Sequence, residues 1–99
     1  MRTFVFYDIV LISERDLEII LRDVDNYVLA KALKDVEEEV IHKVFKSLRN
    51  NRKLLMKKII GEMELVTTKD KEDAQLKIIE HIKTLREKEN IAENVISIE

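Results

Sequence analysis

The 99-residue chain has no cysteine, no proline and a single glycine, Gly61. Without cysteine there is no disulfide framework, no cysteine-based zinc site and no thiol nucleophile. One glycine excludes both common glycine-rich phosphate-binding loops. The hairpin dipeptides Asn-Gly and Asp-Gly are also absent, which argues against an all-β sandwich or barrel. No apolar run reaches the roughly 18 residues that a membrane-spanning helix needs.

What remains is a chain that is 38% charged and 45% apolar. It is rich in Leu, Ile, Val, Lys and Glu, which mostly serve helices or their packing. A chain of this length is most simply one domain. The composition therefore predicts a single, all-α domain.

Helix signals divide the first half of the chain into three helices. Ser13 with Asp16 predicts the N-terminal cap of the first helix. The second is predicted to begin after Asp25 and to end near Lys34, and the third to open with the acidic run Glu37–Glu39. Apolar spacing of three and four residues defines their buried faces. These faces are Leu17, Ile20, Leu21 and Val24; Val28, Leu29, Ala32 and Leu33; and Val40, Ile41, Val44, Phe45 and Leu48.

Two further helices are predicted in the second half. The pair Asn50-Asn51 is the best candidate to cap the fourth helix. Thr67 with Asp70, or Thr68 alone, is predicted to open the fifth and longest one. The predicted buried faces are Leu54, Leu55, Ile59, Ile60 and Met63 for the fourth helix, and Ala74, Ile78, Ile79, Ile82 and Leu85 for the fifth.

The N-terminal stretch does not fit this pattern. The runs at 3–7 and 9–12 are aromatic and β-branched, so residue propensity alone favours a strand there. The only partner for it is the alternating segment 95–98, and a ribbon of two strands is marginally stable.

Groups that carry catalysis are few. His42 follows Glu39 at the Glu-x-x-His spacing of di-iron bundles, which need two such motifs. The other histidine, His81, has Ile78 at the corresponding position, so the second motif is missing. We therefore expect no catalytic residues, no metal and no cofactor. An enzyme would require Glu39 and His42 to converge in a deep pocket.

Charge is unevenly distributed along a chain whose net charge is −2. Between Val40 and Gly61 there are seven basic residues and no acidic one. This stretch is either a solvated helix face or a binding patch. As a patch it favours an acidic protein partner over nucleic acid, because Phe45 is its only aromatic residue. The alternative is a small helical nucleic-acid- or protein-binding module that uses the basic patch 43–58.

Three motifs resemble one known family. The segments LRDVDN at 21–26 and LAKALK at 29–34 resemble the "LREVD…LALALK" stretch of the flagellar motor switch protein FliG. FVFYDIV at 4–10 is similar to that family's "MFVFEDIV", and KDKEDAQ at 69–75 to its "KDVEEAQ". The resemblance covers nearly the whole chain without gaps, and the three motifs keep their separations.

The resemblance implies the fold of the C-terminal, stator-facing domain of that family. This is a compact bundle of about five to six helices with an armadillo-like α-α superhelix, which makes the N-terminal stretch helical or hinge-like. We follow the resemblance there, because packing overrides propensity in short segments. The predicted single domain, 1–99, then comprises a linker or first short helix at 3–12, a helical core at 13–90 and a C-terminal tail at 91–99.

The resemblance also implies a function. Members of the family are non-enzymatic rotor components of the bacterial flagellar motor, which transmit torque and switch the direction of rotation. We accordingly expect two partners, the cytoplasmic loop of the stator protein MotA and other rotor subunits. No nucleic acid and no direct membrane insertion are expected. The expected location is the flagellar basal body at the cytoplasmic face of the inner membrane.

The family's charged positions are only partly preserved when they are carried over one by one. Its arginine in "NMSxRAA" falls on Asn51, and its acidic pair falls on Lys58 and Ile59. This altered charge pattern, with a lysine at position 58 in place of an acid, suggests a divergent or paralogous member of the family. The residues predicted to bind the stator are Lys34, Asn51, Arg52, Lys53, Lys57, Lys58, Glu62 and Lys69.

Overall fold

The computed structural model describes residues 4–63 and 65–87. Within these ranges the chain forms one short 3-10 helix and five α-helices, with no strand. The predicted all-α fold of five to six helices is therefore confirmed. The predicted tail at 91–99 and the predicted end of the core at 88–90 lie outside the described residues. The elements are the 3-10 helix Phe6–Leu11, α1 Glu14–Arg22, α2 Asn26–Ala32, α3 Glu38–Lys46, α4 Asn50–Glu62 and α5 Thr68–Glu87.

Three helices begin where the sequence predicts, and for the predicted reason. The Ser13 Oγ accepts a hydrogen bond from the amide of Asp16, at 3.1 Å. The Asp25 carboxylate accepts from two amides in the first turn of α2. At α5 the capping is reciprocal, because Thr67 Oγ1 accepts from the Asp70 amide at 3.0 Å and the Thr67 amide donates to the Asp70 carboxylate at 3.4 Å. These bonds satisfy amides that a helix leaves without an internal partner.

The predicted cap of α4 is wrong. The helix begins at Asn50, and the preceding residue, Arg49, has extended backbone and makes no capping hydrogen bond with its side chain. Asn50 and Asn51 are both exposed in the first turn of α4. The start of α4 is therefore fixed by contacts from further along the helix, described below.

The strand that propensity alone favours in the N-terminal stretch does not form, and the stretch is helical, as the resemblance implies. Residues 6–11 form the 3-10 helix, which packs mainly against α3. The Asp8 carboxylate accepts a hydrogen bond from the Val5 amide at 2.9 Å. Phe4, Phe6 and Ile9 are buried in the core. Packing of these side chains outweighs the intrinsic preference for extended backbone.

The most extensive helix pairing joins α2 and α5. The predicted apolar face of α5 is buried, with Ala74, Ile78, Ile82 and Leu85 at 9% exposure or less. The Gln75 side chain adds a hydrogen bond to the Ala32 carbonyl at the end of α2, at 2.9 Å. The long fifth helix therefore forms one wall of the core along its described length.

The predicted face of α4 is only half right. Ile59 is buried, but Leu54 and Leu55 are 68% and 42% exposed. Met56, which the periodicity did not place in the core, is fully buried instead. Since α4 packs mainly on α2, only a narrow stripe of it is covered. No helix in the described ranges is both long enough and apolar enough to cross a membrane.

Candidate interaction surface

The narrow contact of α4 with the core leaves two of its sides open to solvent. One side, which we call the outer face, is exposed along the whole helix. Its members recur every three or four residues, so they are neighbours on the helix surface. The outer face consists of Asn51, Leu54, Leu55, Lys58 and Glu62.

The other open side borders a groove of about 830 Å³ between the end of α2, α3 and α4. We call it the lysine groove. Lys53 and Lys57, one turn apart on α4, line it together with Lys34 after α2. Its apolar lining includes Leu33, Val36, Ile41, Phe45 and Ile60. The groove therefore combines an apolar floor with a cationic rim.

The groove owes part of its shape to the end of α2. Asp35, in the turn after that helix, has a φ of 54°, in the left-handed region. Asp is one of the residues that enter this region more readily than most. The Lys71 ammonium of α5 donates to the Asp35 carbonyl at 3.4 Å. This turn leads the chain from α2 into α3 and brings Lys34 to the rim.

Two basic residues of the acid-free stretch are paired with α1. The Lys46 ammonium lies 3.8 Å from the Glu14 carboxylate. The Arg49 guanidinium donates a hydrogen bond to the Glu18 carboxylate at 3.2 Å. These exposed pairs neutralise charge beside α1, so the positive potential is concentrated further along α4.

Arg52 is used inside the molecule. Its guanidinium donates to the Leu21 carbonyl at 2.6 Å, the Val24 carbonyl at 2.5 Å and the Asn26 side-chain oxygen at 2.8 Å. The Leu21 carbonyl lies at the end of α1, where it also accepts from the Val24 amide at 3.1 Å, and the Val24 carbonyl lies in the turn after α1. Partial burial lowers the pKa of Arg52, and the nearby Asp25 carboxylate opposes this shift. Arg52 therefore ties α4 to the α1–α2 turn, and each of its three guanidinium nitrogens already donates within the chain.

The predicted stator-binding residues thus separate into distinct places. Lys34, Lys53 and Lys57 line the lysine groove. Asn51, Lys58 and Glu62 lie on the outer face of α4. Lys69 is on the first turn of α5, where it pairs with Asp73 at 3.4 Å. The structure brings the first three together and places the others elsewhere.

The Glu-x-x-His motif does not form a metal site. Both Glu39 and His42 are exposed on α3, where the Glu39 carboxylate accepts a hydrogen bond from the Tyr7 hydroxyl at 2.7 Å. This hydrogen bond is the main reason that the pKa of Tyr7 is raised above its ordinary value. No group of three or more His, Asp or Glu suited to a metal ion occurs among residues 4–63 and 65–87. Glu39 instead joins α3 to the 3-10 helix.

Comparison with known proteins places these features in a family. A family model described as the FliG C-terminal domain matches residues 1–92. The flagellar motor switch protein FliG of Thermotoga maritima is 41% identical over 86 residues, which cover 87% of this chain and 26% of that protein. The protein of the same name from Borreliella burgdorferi is 37% identical over 90 residues, covering 91% and 26% respectively. The chain therefore spans about a quarter of the length of these relatives.

A solved structure agrees with the sequence comparison. A crystal structure of a segment of FliG from H. pylori superposes with a TM-score of 0.84 at 30% sequence identity. The match covers 89% of this chain and 39% of that one. The resemblance read from the three sequence motifs is confirmed by these findings.

Proposed function

Because this chain belongs to the FliG C-terminal domain family, we propose that it is a non-enzymatic rotor component of a bacterial flagellar motor, part of the switch complex. The relatives that it matches are named flagellar motor switch proteins. The chain corresponds to about a quarter of each. Its role is accordingly that of one interaction domain, with the cytoplasmic loop of the stator protein MotA and other rotor subunits as partners.

The observation that carries the stator contact is the acid-free stretch between Val40 and Gly61. Within it, Lys46, Arg49 and Arg52 have acidic or carbonyl partners inside the chain. The side chains of the three lysines of α4, namely Lys53, Lys57 and Lys58, make no ion pair or hydrogen bond with any described residue. A positive surface therefore remains for an acidic partner.

Weak contacts suit this role. An exposed ion pair contributes about 0–1 kcal/mol, so each lysine adds little and the partner dissociates quickly. A rotor that passes its stator must form and release contacts in succession, and torque follows from their change. Contact with the cytoplasmic loop of a stator protein implies a location at the cytoplasmic face of the inner membrane, in the flagellar basal body. Nucleic-acid binding by the basic patch 43–58 gains no support from the relatives.

The proposal is tested by reversing two charges. In a cell that carries this chain, Lys57→Glu with Lys58→Glu should reduce swimming and the recovery of the stator protein in a pull-down. Charge reversal replaces attraction by repulsion at two positions, so we expect about a tenfold loss of affinity. Compensating Glu→Lys changes in the stator loop should restore part of it.

The matched control makes the same change of charge elsewhere. Lys77→Glu with Lys83→Glu reverses two exposed lysines on α5. This variant should swim and bind the stator protein as the original chain does. If both variants behave alike, or if the α4 variant retains full stator binding, the stator contact assigned to α4 is wrong.

A further inference from the structure

The lysine groove has a property that a purely electrostatic contact would not need. Its floor is formed by Leu33 and the half-buried side chains of Ile41, Phe45 and Ile60. At about 830 Å³ it lies within the size range of ligand sites in proteins, roughly 300–1,000 Å³. Apolar surface gathered in a concave place between helices is typical of a site that receives apolar groups from a partner.

Positive charge predominates around this floor. Lys34, Lys53 and Lys57 line the groove and have no ion-pair partner in the described ranges. Among the described residues, Asp35 is the only acidic one in the lining. An occupant that complements the groove must therefore carry apolar groups for the floor and negative charges for the rim.

We propose that the lysine groove binds an acidic amphipathic helix from a partner protein. Apolar side chains of that helix enter between α3 and α4, and its carboxylates meet Lys34, Lys53 and Lys57. The inference deepens the proposed function, on which it rests, by naming the chemistry of the segment that a protein partner presents. It also explains why the groove retains an apolar floor under a charged rim.

The geometry favours a helix over other anionic partners. The groove is open to solvent along its outer side, so it suits a segment lying across it more than an enclosed small ligand. Lys53 and Lys57 are one helical turn apart on α4, the spacing at which carboxylates repeat on a partner helix. An apolar groove is the arrangement that receives the apolar face of an amphipathic helix. Single-stranded nucleic acid would instead favour exposed aromatic residues for stacking.

Gly61 provides a steric test of the proposal. It lines the groove near the end of α4, and a Cβ added there would meet no atom within 4 Å. Gly61→Leu therefore adds a bulky apolar side chain at the groove without a clash at its Cβ. Thr84→Leu is the matched control, since it adds a leucine at an exposed position on α5, away from the groove.

The probe is a fluorescein-labelled 14-residue peptide of Leu and Glu at helical spacing, measured by fluorescence anisotropy against the full 99-residue chain. The controls are a scrambled peptide of the same composition and a peptide with Lys in place of Glu. We expect the amphipathic acidic peptide to bind more tightly than either. Gly61→Leu should weaken its binding by about tenfold and Thr84→Leu by less than about twofold. Lys53→Glu with Lys57→Glu should abolish binding, and amide NMR shifts should centre on Ile41, Phe45 and Ile60.

Any one of several outcomes overturns the inference. The first is equal binding of the scrambled peptide or equal weakening by Gly61→Leu and Thr84→Leu. The second is binding of the chain to phosphatidylglycerol vesicles but not to the peptide, which would assign the groove to a lipid surface. The third is self-association in sedimentation that Gly61→Leu removes, which would assign it to a second copy. If the Gly61→Leu variant still recovers the stator protein in a pull-down, the groove inference is wrong and the proposed function stands. If the chain binds the peptide but never recovers the stator protein, the proposed function is wrong and the groove inference stands.

Discussion

Helices α4 and α5 follow one another in the chain, yet they relate to the core in opposite ways. Helix α5 begins with a reciprocal cap and buries four apolar residues along one face. Helix α4 has no side-chain cap, buries only Met56 and Ile59, and exposes Leu54 and Leu55. Helix α5 belongs to the core, whereas helix α4 is attached to the core by a narrow stripe of its surface.

The difference shows where an interaction surface can form. A helix that buries a broad face has little left to offer a partner, because its apolar residues are already covered. Helix α4 keeps two open sides because Arg52 supplies part of its attachment through hydrogen bonds to the α1–α2 turn. The lysines of α4 that are proposed to bind partners therefore lie on a helix that buries only two of its 13 residues.

The largest effect on stability is expected when a core side chain of α5 is truncated. Ile78→Ala on α5 removes a side chain that is 1% exposed, and we expect it to lower the free energy of unfolding by about 2–5 kcal/mol. Leu54→Ala on α4 removes a side chain that is 68% exposed and should change it by less than about 0.5 kcal/mol. Urea unfolding followed by circular dichroism measures both. Equal losses would mean that α4 is packed as α5 is.

The same contrast explains how much of the fold can be predicted from sequence. The caps at Ser13, Asp25 and Thr67 and the buried face of α5 follow from residues within a few positions of one another, so local rules predict them. The exposure of Leu54 and Leu55 depends on which side of α4 meets α2, and spacing alone does not determine that. Propensity alone likewise favours a strand where the 3-10 helix forms, because its aromatic residues gain more by packing; the helical stretch there is what the resemblance implies.

The sequence identifies several residues of the candidate site, but it does not show how they are arranged in space. The acid-free stretch and the family resemblance both point to the lysines of α4. They do not reveal that Arg52 donates to carbonyls about thirty positions earlier in the chain, since a hydrogen bond to a distant backbone carbonyl leaves no local sequence signal. Nor do they show that Lys34 joins Lys53 and Lys57 around one groove, which requires the turn at Asp35.

An intermediate effect is expected when the Arg52 attachment is removed. Arg52→Met keeps a long side chain but loses three charge-assisted hydrogen bonds, so we expect a loss of about 1.5–3 kcal/mol in the free energy of unfolding. Lys58→Met is the control, because Lys58 is exposed on the outer face. Amide hydrogen exchange should accelerate first in α4. An unchanged stability for Arg52→Met would show that Met56 and Ile59 suffice to attach α4.

The smallest expected effect has the opposite sign. Gly61 lies inside α4, has no positive φ, and leaves open space where a Cβ would stand. Gly61→Ala should therefore raise the free energy of unfolding by about 0.4–1 kcal/mol, because alanine restricts the unfolded chain and fits the helix. The same urea titration measures the change, with Ala74→Gly in the buried face of α5 as the reverse substitution, expected to destabilise by more. A loss of stability in Gly61→Ala would mean that the last turn of α4 needs glycine. The end of the lysine groove that Gly61 lines would then have a different shape.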